Sequence, residues 1–491
     1  MTPTLTSTRA RQLLAASVLL GVTGDLLWGS GMARLGFMLW ILFAIAVAWW
    51  CGSPGDRQRS LLLTIIGAAA LAFVLRDSER LLVLDVLVAL GACALVVWRA
   101  QGFSLTAIRL TDGPRAVLMS AVASVAGAVA LAATDAKWDD GGSPAKARAF
   151  AVTLGTLVAV PVLAVTLTLL GEADPLFAGW VEALLGFVSE DLVRHVVMSA
   201  AVGWLVAGWL RGGVVPTGNW GWGGAAERWH VGLMALAPTL YAMIVALAAF
   251  LGLQGRTLVG GAEFVERTTG LTYAAYARGG FFELVAVALI VLGVLLVSDV
   301  LLDRAESRDE RRFRSAAWML LALVGLLAGS AAYRMSLYVN AYGLTEERFF
   351  AVAGMVWIVA ALGWFGASVL RGRRGPFPVG LVALSVGWIF ALNLVGPDAL
   401  VARVNLARAR SGLEFDVAYH ANRLADAVPT LVAGASALPA ERCHELLAAL
   451  LARDGARTAT DWRGWSLSSA RARRALEPGL DRLVAEHCRG S

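Results

Sequence analysis

Arg334, Tyr338 and Tyr342 follow one another at intervals of four residues, so on a helix they share one face. An arginine near hydrocarbon is costly unless it snorkels to the headgroups or meets a partner, and both outcomes stay open. If it meets a partner, the best-placed carboxylate is Glu283, with a tyrosine hydroxyl completing the hydrogen bonds. Glu283 ends the stretch Arg278-Gly-Gly-Phe-Phe-Glu283, whose two glycines permit a broken helix start. Asp25, Asp85 and Asp299 also interrupt apolar runs. Such residues usually face a bundle interior or water, although carboxylates at helix ends can lie idle at the interface. These seven residues are the candidates for a substrate or ion path.

Other chemistry is poorly represented. There is no H-E-x-x-H, and His195 and His230 are too far apart to form a helical metal pair. No G-x-S-x-G elbow or Walker loop occurs. Asp139-Asp140 beside Gly141-Gly142 has the makings of an acidic metal corner but reads better as a solvated loop. Neither a metal nor a cofactor is expected. Cys51 and Cys93 read as small hydrophobes. Cys443 and Cys488 each adjoin a histidine, which leaves three readings: unpaired thiols, a disulfide in an oxidising compartment, or zinc ligands with His444 and His487. A disulfide would close a loop of about 45 residues and contribute roughly 4 kcal/mol in the chain-entropy account.

The composition places these residues in a membrane. Of 491 residues, 58% are hydrophobic and only 16% charged, with 18 Trp and a mean hydropathy of +0.68; a soluble chain carries about 25% charged residues. A helix needs about 20 mostly apolar residues to cross the hydrocarbon. Suitable runs fall at 11–31, 35–50, 60–75, 81–98, 116–134, 149–170, 193–210, 231–253, 281–302, 316–338, 349–370 and 378–396. The expected fold is therefore all-α, a polytopic transmembrane bundle of about 12 helices, with 11 to 13 open because 35–50 and 60–75 are short. The first run contains Asp25 and no A-x-A site, and reads as an uncleaved helix. Residues 1–396 form the transmembrane domain. Residues 397–491 form a small soluble or interfacial helical tail, with Trp462 and Trp465 suited to headgroup level.

Charge sets the expected orientation. Arg304, Arg308, Arg311, Arg312 and Arg314, and then Arg371, Arg373 and Arg374, fall in two linkers of matching parity. The positive-inside rule puts both in the cytoplasm, and Gly171–Asp191 and the tail outside. Twelve crossings would then place the N-terminus outside, against Arg9, Arg11, Arg57 and Arg59. One of the short early runs is therefore expected not to span. The net charge of +6 suits topology signals and contact with the lipid bilayer, not nucleic acid.

Six stretches occur in order: Glu172-Ala-Asp-Pro-Leu-Phe177, Tyr276 to Leu284, Arg334 to Thr345 with Arg348, Asn393 to Asn405 around Gly-Pro-Asp, Asp426-Ala-Val-Pro429, and Trp462-Arg-Gly-Trp-Ser-Leu467. Over roughly 173–476 the chain resembles a bacterial multi-pass membrane family, domain of unknown function 4173, related to the 4153 group. The resemblance implies a bacterial inner-membrane protein with a polar C-terminal tail, and it brings no activity or site residues. Glu347 stands where that family's pattern calls for an apolar residue. The function expected from the residues is a non-enzymatic membrane protein, permease-like or a sensor component, with its small-molecule or protein partner unidentified. The alternatives are an enzyme acting on a lipid-linked substrate and a scaffold that holds a partner through its tail.

Overall fold

The structure is a computed structural model. It describes residues 5–28, 33–52, 55–109, 112–136, 190–215, 233–269, 281–302, 304, 306–423, 425–456 and 461–488, with backbone alone for 190, 254–269, 281–283 and 454–456. The described residues form 17 helices and no strand, as an all-α chain should. Eleven helices are long and apolar enough to cross a membrane. They are α1 (Ser7–Trp28), α2 (Arg34–Cys51), α3 (Arg57–Leu75), α4 (Glu79–Ala100), α5 (Asp112–Ala130, continued by a π turn to Asp135), α6 (Glu190–Gly212), α7 (Leu233–Thr269), α8 (Phe281–Leu301), α9 (Ser307–Tyr342), α10 (Glu346–Ser368) and α11 (Pro376–Val395). The tail adds α12 (Pro397–Arg410), α13 (Val417–Ala421), α14 (Val428–Gly434), α15 (Ala440–Ala456), α16 (Leu467–Leu476) and α17 (Leu480–His487). The run 149–170, the pair Asp139-Asp140, His230 and nearly all of 171–191 lie outside the described residues.

Local chemistry sets the helix ends. Asp56 accepts from the N–H groups of Gln58 and Arg59 at the start of α3, and Ser78 accepts from Leu81 at the start of α4. Gly343 closes α9 at φ +80°, a conformation open to glycine at no steric cost. Thr345 then caps α10 through the Arg348 N–H.

The chain divides into two compact units, residues 1–220 with 459–470, and 221–458 with 471–491. In the first unit α1–α6 share a core that includes Leu13, Leu20, Leu63, Phe73, Leu131 and Leu210. Its two poles differ in charge. At one pole Arg9 donates to Cys51 O at 2.7 Å, the buried Arg59 donates to Ala48 O at 2.8 Å and to Gly213 O, and Arg99 pairs with Asp56 at 3.1 Å. At the other pole Arg34 donates to Arg76 O at 2.6 Å, and residues 461–470 dock. There the Asp77 carboxylate accepts from Ser466 at 2.9 Å and from Ser469 at 3.0 Å.

Both ends of α5 meet the arginine-rich pole. Ala116 packs on Ala94 and Trp98 near the end of α4. At the far end Asp135 pairs with Arg211 at 2.6 Å, and Ala136 O accepts from Arg11 at 3.0 Å. An α5 of this length, about 36 Å with its π turn, therefore crosses α6 instead of running from pole to pole. The early runs α2 and α3, at 18 and 19 residues, have spanning length, as has 116–134, and of these 116–134 is the one that starts and ends at the same pole. Hydropathy cannot separate the two cases, because an apolar helix buries the same surface along its neighbours or across them.

In the second unit arginines pair with acids at one pole of α8–α11. Arg374 bridges Asp299 at 3.2 Å and Glu310 at 2.9 Å, with Arg304 on Asp299 and Arg314 on Glu310, each at 2.9 Å. The opposite pole carries the tail. There Leu406, Phe415, Leu431, Leu446 and Leu450 form a core with Cys443 and Leu483. Cys443 and Cys488 are joined by a disulfide with Cα atoms 5.7 Å apart, within reach of an ordinary bridge.

Close approach of helices rests on glycine. A methyl group placed on Gly21 of α1 would stand 2.3 Å from Ser199 O of α6, and one on Gly208 of α6 would stand 2.1 Å from Ser124 O of α5. Gly91 of α4 has open space. We therefore expect Gly208→Ala to lower stability by about 2 kcal/mol or more through overpacking against backbone, while Gly91→Ala is neutral or stabilising. Thermal melts of the purified protein, followed by dye labelling of the buried Cys51, check this; equal melting temperatures for both variants would refute it.

Candidate functional site

Asp25 and His195 form the one described acid–base pair between helices α1 and α6. Small residues on both helices, Ser17, Gly21, Ser199 and Gly203, bring the backbones together, which lets a short carboxylate on one reach an imidazole on the other. Asp25 is 5% exposed. Its carboxylate lies 2.6 Å from His195 Nδ1. A carboxylate can only accept here, so Nδ1 carries the proton and donates. The His195 side chain is 42% exposed. Its Nε2 stands 3.4 Å from Arg194 Nη2, and Arg194 also pairs with Asp191 at 3.4 Å. The guanidinium has no acceptor, so Nε2 presents its lone pair.

The pair lines a cavity of about 830 Å³ whose other walls are Leu14, Val18, Val22, Leu26, Val196 and Leu205, with Ser17, Ser199 and Trp204 among the remaining lining residues. The Leu26 carbonyl accepts from Arg463 at 2.5 Å, and Arg463 pairs with Asp461 at 2.8 Å. Among the described residues, Asp25 and His195 are thus the ionisable members of an otherwise largely apolar lining, with Arg194 beside His195 and Arg463 on the Leu26 carbonyl. Such an arrangement sets a hydrogen-bonded acid and base beside the walls that would contact an apolar body.

A second polar cluster explains the charge gathered at the joint between α9 and α10. Arg423 donates to Glu346 and to Asp398, each at 2.5 Å, and the Tyr419 hydroxyl accepts from the Glu346 N–H at 3.0 Å. Asn405 accepts from Leu344 N at 2.8 Å and donates to Leu344 O at 2.7 Å. Arg408 donates to Asn340 O and Ala341 O. Arg348 lies over the Tyr338 ring at 3.9 Å and donates to Gly343 O. The tail is thereby clasped to the turn between two transmembrane helices. Burial raises the Asp398 carboxyl above its ordinary range, against the pull of Arg423. Burial likewise opposes the Arg423 charge, but its bonds to Glu346 and Asp398 prevail and raise it. Burial pushes the His420 imidazole down to about 4; its Nε2 lies 3.0 Å from Asn405 Nδ2 and its ring stacks on Phe415.

The residues singled out by sequence are dispersed. Asp25 joins the cavity. Asp85 is buried in α4. Asp299 belongs to the ion pairs of the arginine-rich pole. Arg334 is 6% exposed, a guanidinium enclosed and not extended to a surface. Tyr338 and Tyr342 stack edge to face with centroids 5.3 Å apart, and the cation over Tyr338 is Arg348. The side chain of Glu283 lies outside the described residues, as does its suggested pairing with Arg334. Arg334 and Glu310 are 24 positions apart on α9, about 36 Å, so Arg334 and Asp299 do not meet. Sequence reasoning passed over His195, Arg463, Arg423, Asp398, Asn405 and His420. Asp25 and His195 are 170 positions apart, and no spacing rule connects them.

Comparison with known proteins adds one family. The family described as Domain of unknown function (DUF4153) matches residues 61–434, about three-quarters of the chain. No curated protein and no solved structure matches it.

The clasp yields a pH expectation. The His420 imidazole falls from an ordinary value of about 6.5 to about 4 in the fold. The unfolded chain therefore binds more protons below about pH 6.5, and stability falls as pH drops from there toward 4. We expect a loss of roughly 1–3 kcal/mol over that window, abolished in His420→Gln. The raised Asp398 carboxyl acts with the opposite sign and cancels in the comparison of the two proteins. Denaturant midpoints at pH 7 and pH 4.5 provide the measurement, and identical slopes in both proteins would exclude a role for His420.

Proposed function

We propose, from the premise that the chain belongs to the DUF4153 family, that this multi-pass membrane protein is a permease-like, non-enzymatic protein of the bacterial inner membrane whose path includes the cavity between α1 and α6. The observation that supports this reading is the Asp25–His195 pair: a buried carboxylate hydrogen-bonded to an imidazole from another helix, at the rim of a cavity large enough for a small molecule. Among the described residues the cavity holds one carboxylate, fewer than the several that the sequence suggested for a transport site. The closer kinship with the 4173 group rests on the ordered motifs alone.

The same reading includes a sidedness. Arg34, Arg194 and Arg463 stand at one pole of the first unit and Arg348, Arg408 and Arg423 at one pole of the second; the other pole of each unit, taken by itself, is where arginines gather at the ends of the transmembrane helices. In the first that pole holds Arg9, Arg11, Arg59, Arg99 and Arg211, and residues 461–470 dock at the opposite pole. In the second it holds Arg304, Arg314 and Arg374, and α12–α15 lie at the opposite pole. The positive-inside rule puts both arginine-rich poles in the cytoplasm and the tail outside. The Cys443–Cys488 disulfide fits an oxidising compartment. An α5 that starts and ends on the cytoplasmic side removes one crossing from the first half, which is what the agreement of Arg9 and Arg11 with the second half requires.

Two experiments test the reading. In a background lacking native cysteines, a membrane-impermeant maleimide should label Ser411→Cys in intact cells, and should label Thr106→Cys, Ala136→Cys and Arg308→Cys only after the cytoplasmic side is opened. Labelling of Thr106→Cys and Ala136→Cys from opposite sides would overturn the path of α5, and labelling of Arg308→Cys in intact cells would invert the sidedness. For transport, vesicles loaded with a pH-sensitive dye should show protein-dependent proton movement with at least one member of a small-molecule panel, reduced at least tenfold in Asp25→Asn. No protein-dependent movement of proton or solute across the panel would sink the permease reading.

A further inference from the structure

We propose that the cavity formed by the start of α3, the end of α4 and the residues just after α6 is a binding site for a phosphate monoester, held by Arg57, Arg59 and Arg99. It shares no lining residue with the cavity between α1 and α6, and the inference does not rest on the permease reading.

Charge supplies the first argument. The cavity measures about 560 Å³, and among the described residues its lining sets Arg57, Arg59 and Arg99 against the one carboxylate of Asp56. That carboxylate is already engaged: it pairs with Arg99 at 3.1 Å and accepts from the N–H groups of Gln58 at 3.1 Å and Arg59 at 3.2 Å. Arg59 is 9% exposed. It donates to Ala48 O at 2.8 Å and to Gly213 O, neutral acceptors that cancel no charge, and its Nε is buried with no acceptor among the described residues. The lining thus carries a surplus of two positive charges. Arg9, bonded to Cys51 O, adds another positive charge at the same pole. A guanidinium held this deep without a counter-charge is costly, and an anion in the cavity supplies one.

Geometry and charge number select the anion. A phosphate monoester carries roughly 1.5 to 2 negative charges at pH 7, which matches the surplus, whereas a halide, a carboxylate or a phosphodiester brings one. Guanidinium forks suit phosphate oxygens, which they bind in pairs of parallel bonds. Because α3 starts at this wall, the positive end of its dipole adds to the arginines. Gly55 and Gly102 also line the cavity, both at φ +88° and both with open space where a Cβ would stand, so the anion meets bare backbone there. Val96 and Val214 complete the lining and suit whatever group the ester carries. That group could be a diacylglycerol or a soluble alcohol; the phosphate chemistry is the same for both.

The test uses the full-length protein in nanodiscs of phosphatidylcholine at about pH 8, where a monoester is close to dianionic. The soluble probe is radiolabelled inorganic phosphate, with acetate as competitor. The lipid probe is phosphatidic acid as a minor component, with the diester phosphatidylglycerol as its control and retained lipid read by native mass spectrometry. We expect one probe molecule per chain, bound at least about tenfold more weakly in Arg57→Ala and in Arg99→Gln, as loss of a charge-assisted bond implies. Ala100→Glu keeps every arginine, sets a carboxylate in the lining, and should abolish binding. Arg308→Ala, at an exposed position of the second unit, should leave it unchanged. Arg59 is not substituted, since its bonds to Ala48 O and Gly213 O also hold helix ends, and melting temperatures confirm that each variant folds. Retention of inorganic phosphate alone supports the inference and assigns a soluble ester; retention of phosphatidic acid alone supports it and assigns a lipid headgroup. Binding unchanged in Arg57→Ala and Ala100→Glu, an equal loss in Arg308→Ala, acetate or phosphatidylglycerol matching the phosphate probes, or retention of neither probe would overturn it.

Discussion

A charge beside hydrocarbon must be paired, solvated or moved to an end, and that constraint arranges this protein. Most ionisable groups obey it by collecting at the poles. Arg59 satisfies backbone carbonyls at the ends of α2 and α6, Asp77 is held by Arg34, Ser466 and Ser469, and Asp299 and Glu310 share Arg374. These contacts also fasten segments that hydrophobic burial cannot place. Lipid tails are as apolar as leucine, so apolar surface does not by itself choose which helix packs on which. Polar pairs at the ends and glycine contacts along the length make that choice, and in α1 and α6 both devices act on the same two helices.

The cavity follows from that pairing. Gly21 and Gly203 bring the backbones of α1 and α6 together, and small residues at a helix contact leave less side-chain volume around it. Where larger side chains resume, Val18, Val22, Leu26 and Leu205 form walls without filling the space between them. The close contact brings Asp25 within 2.6 Å of His195. A carboxylate in such surroundings without that partner would carry an unpaired charge next to apolar walls, at a cost of several kcal/mol. The imidazole therefore supplies Asp25 with the hydrogen-bond partner that the apolar walls do not.

The all-α class and the positions of eleven helices were legible because hydropathy reports burial in lipid directly and needs no partner. The turn at Gly343-Leu-Thr345 was legible too, since glycine at positive φ and a threonine cap act within a few residues. The path of α5 was not, because the Ala-, Gly- and Ser-rich sequence that lets it cross α6 at Gly127 and Gly208 is equally good for a spanning helix. Site residues divided the same way. Asp25 announced itself as a charge in an apolar run, whereas His195 and Arg463 gain meaning only from neighbours 170 and 437 positions away. Arg423 and Asn405 look like ordinary tail residues until the fold sets them against the joint of α9 and α10.

The tail shows how pairing and covalent chemistry divide one task. Its apolar core, from Leu406 to Leu483, is small, and a core of that size leaves little margin against chain entropy. At the edge facing the transmembrane helices, Arg423, Asn405 and Arg408 fix the tail to the joint of α9 and α10 by charge-assisted bonds and bonds to backbone. Toward the end of the chain, Cys443 ties α15 to the residue that follows α17. The clasp alone would leave α17 free to fray, since an eight-residue helix is marginal by itself. The disulfide alone would hold the tail together without fixing it to a transmembrane element. Residues 461–470 complete the arrangement by docking on Asp77 and Leu75 in the first unit, so a single tail contributes structure to both units, and one of its arginines, Arg463, reaches the carbonyl of a cavity-lining residue.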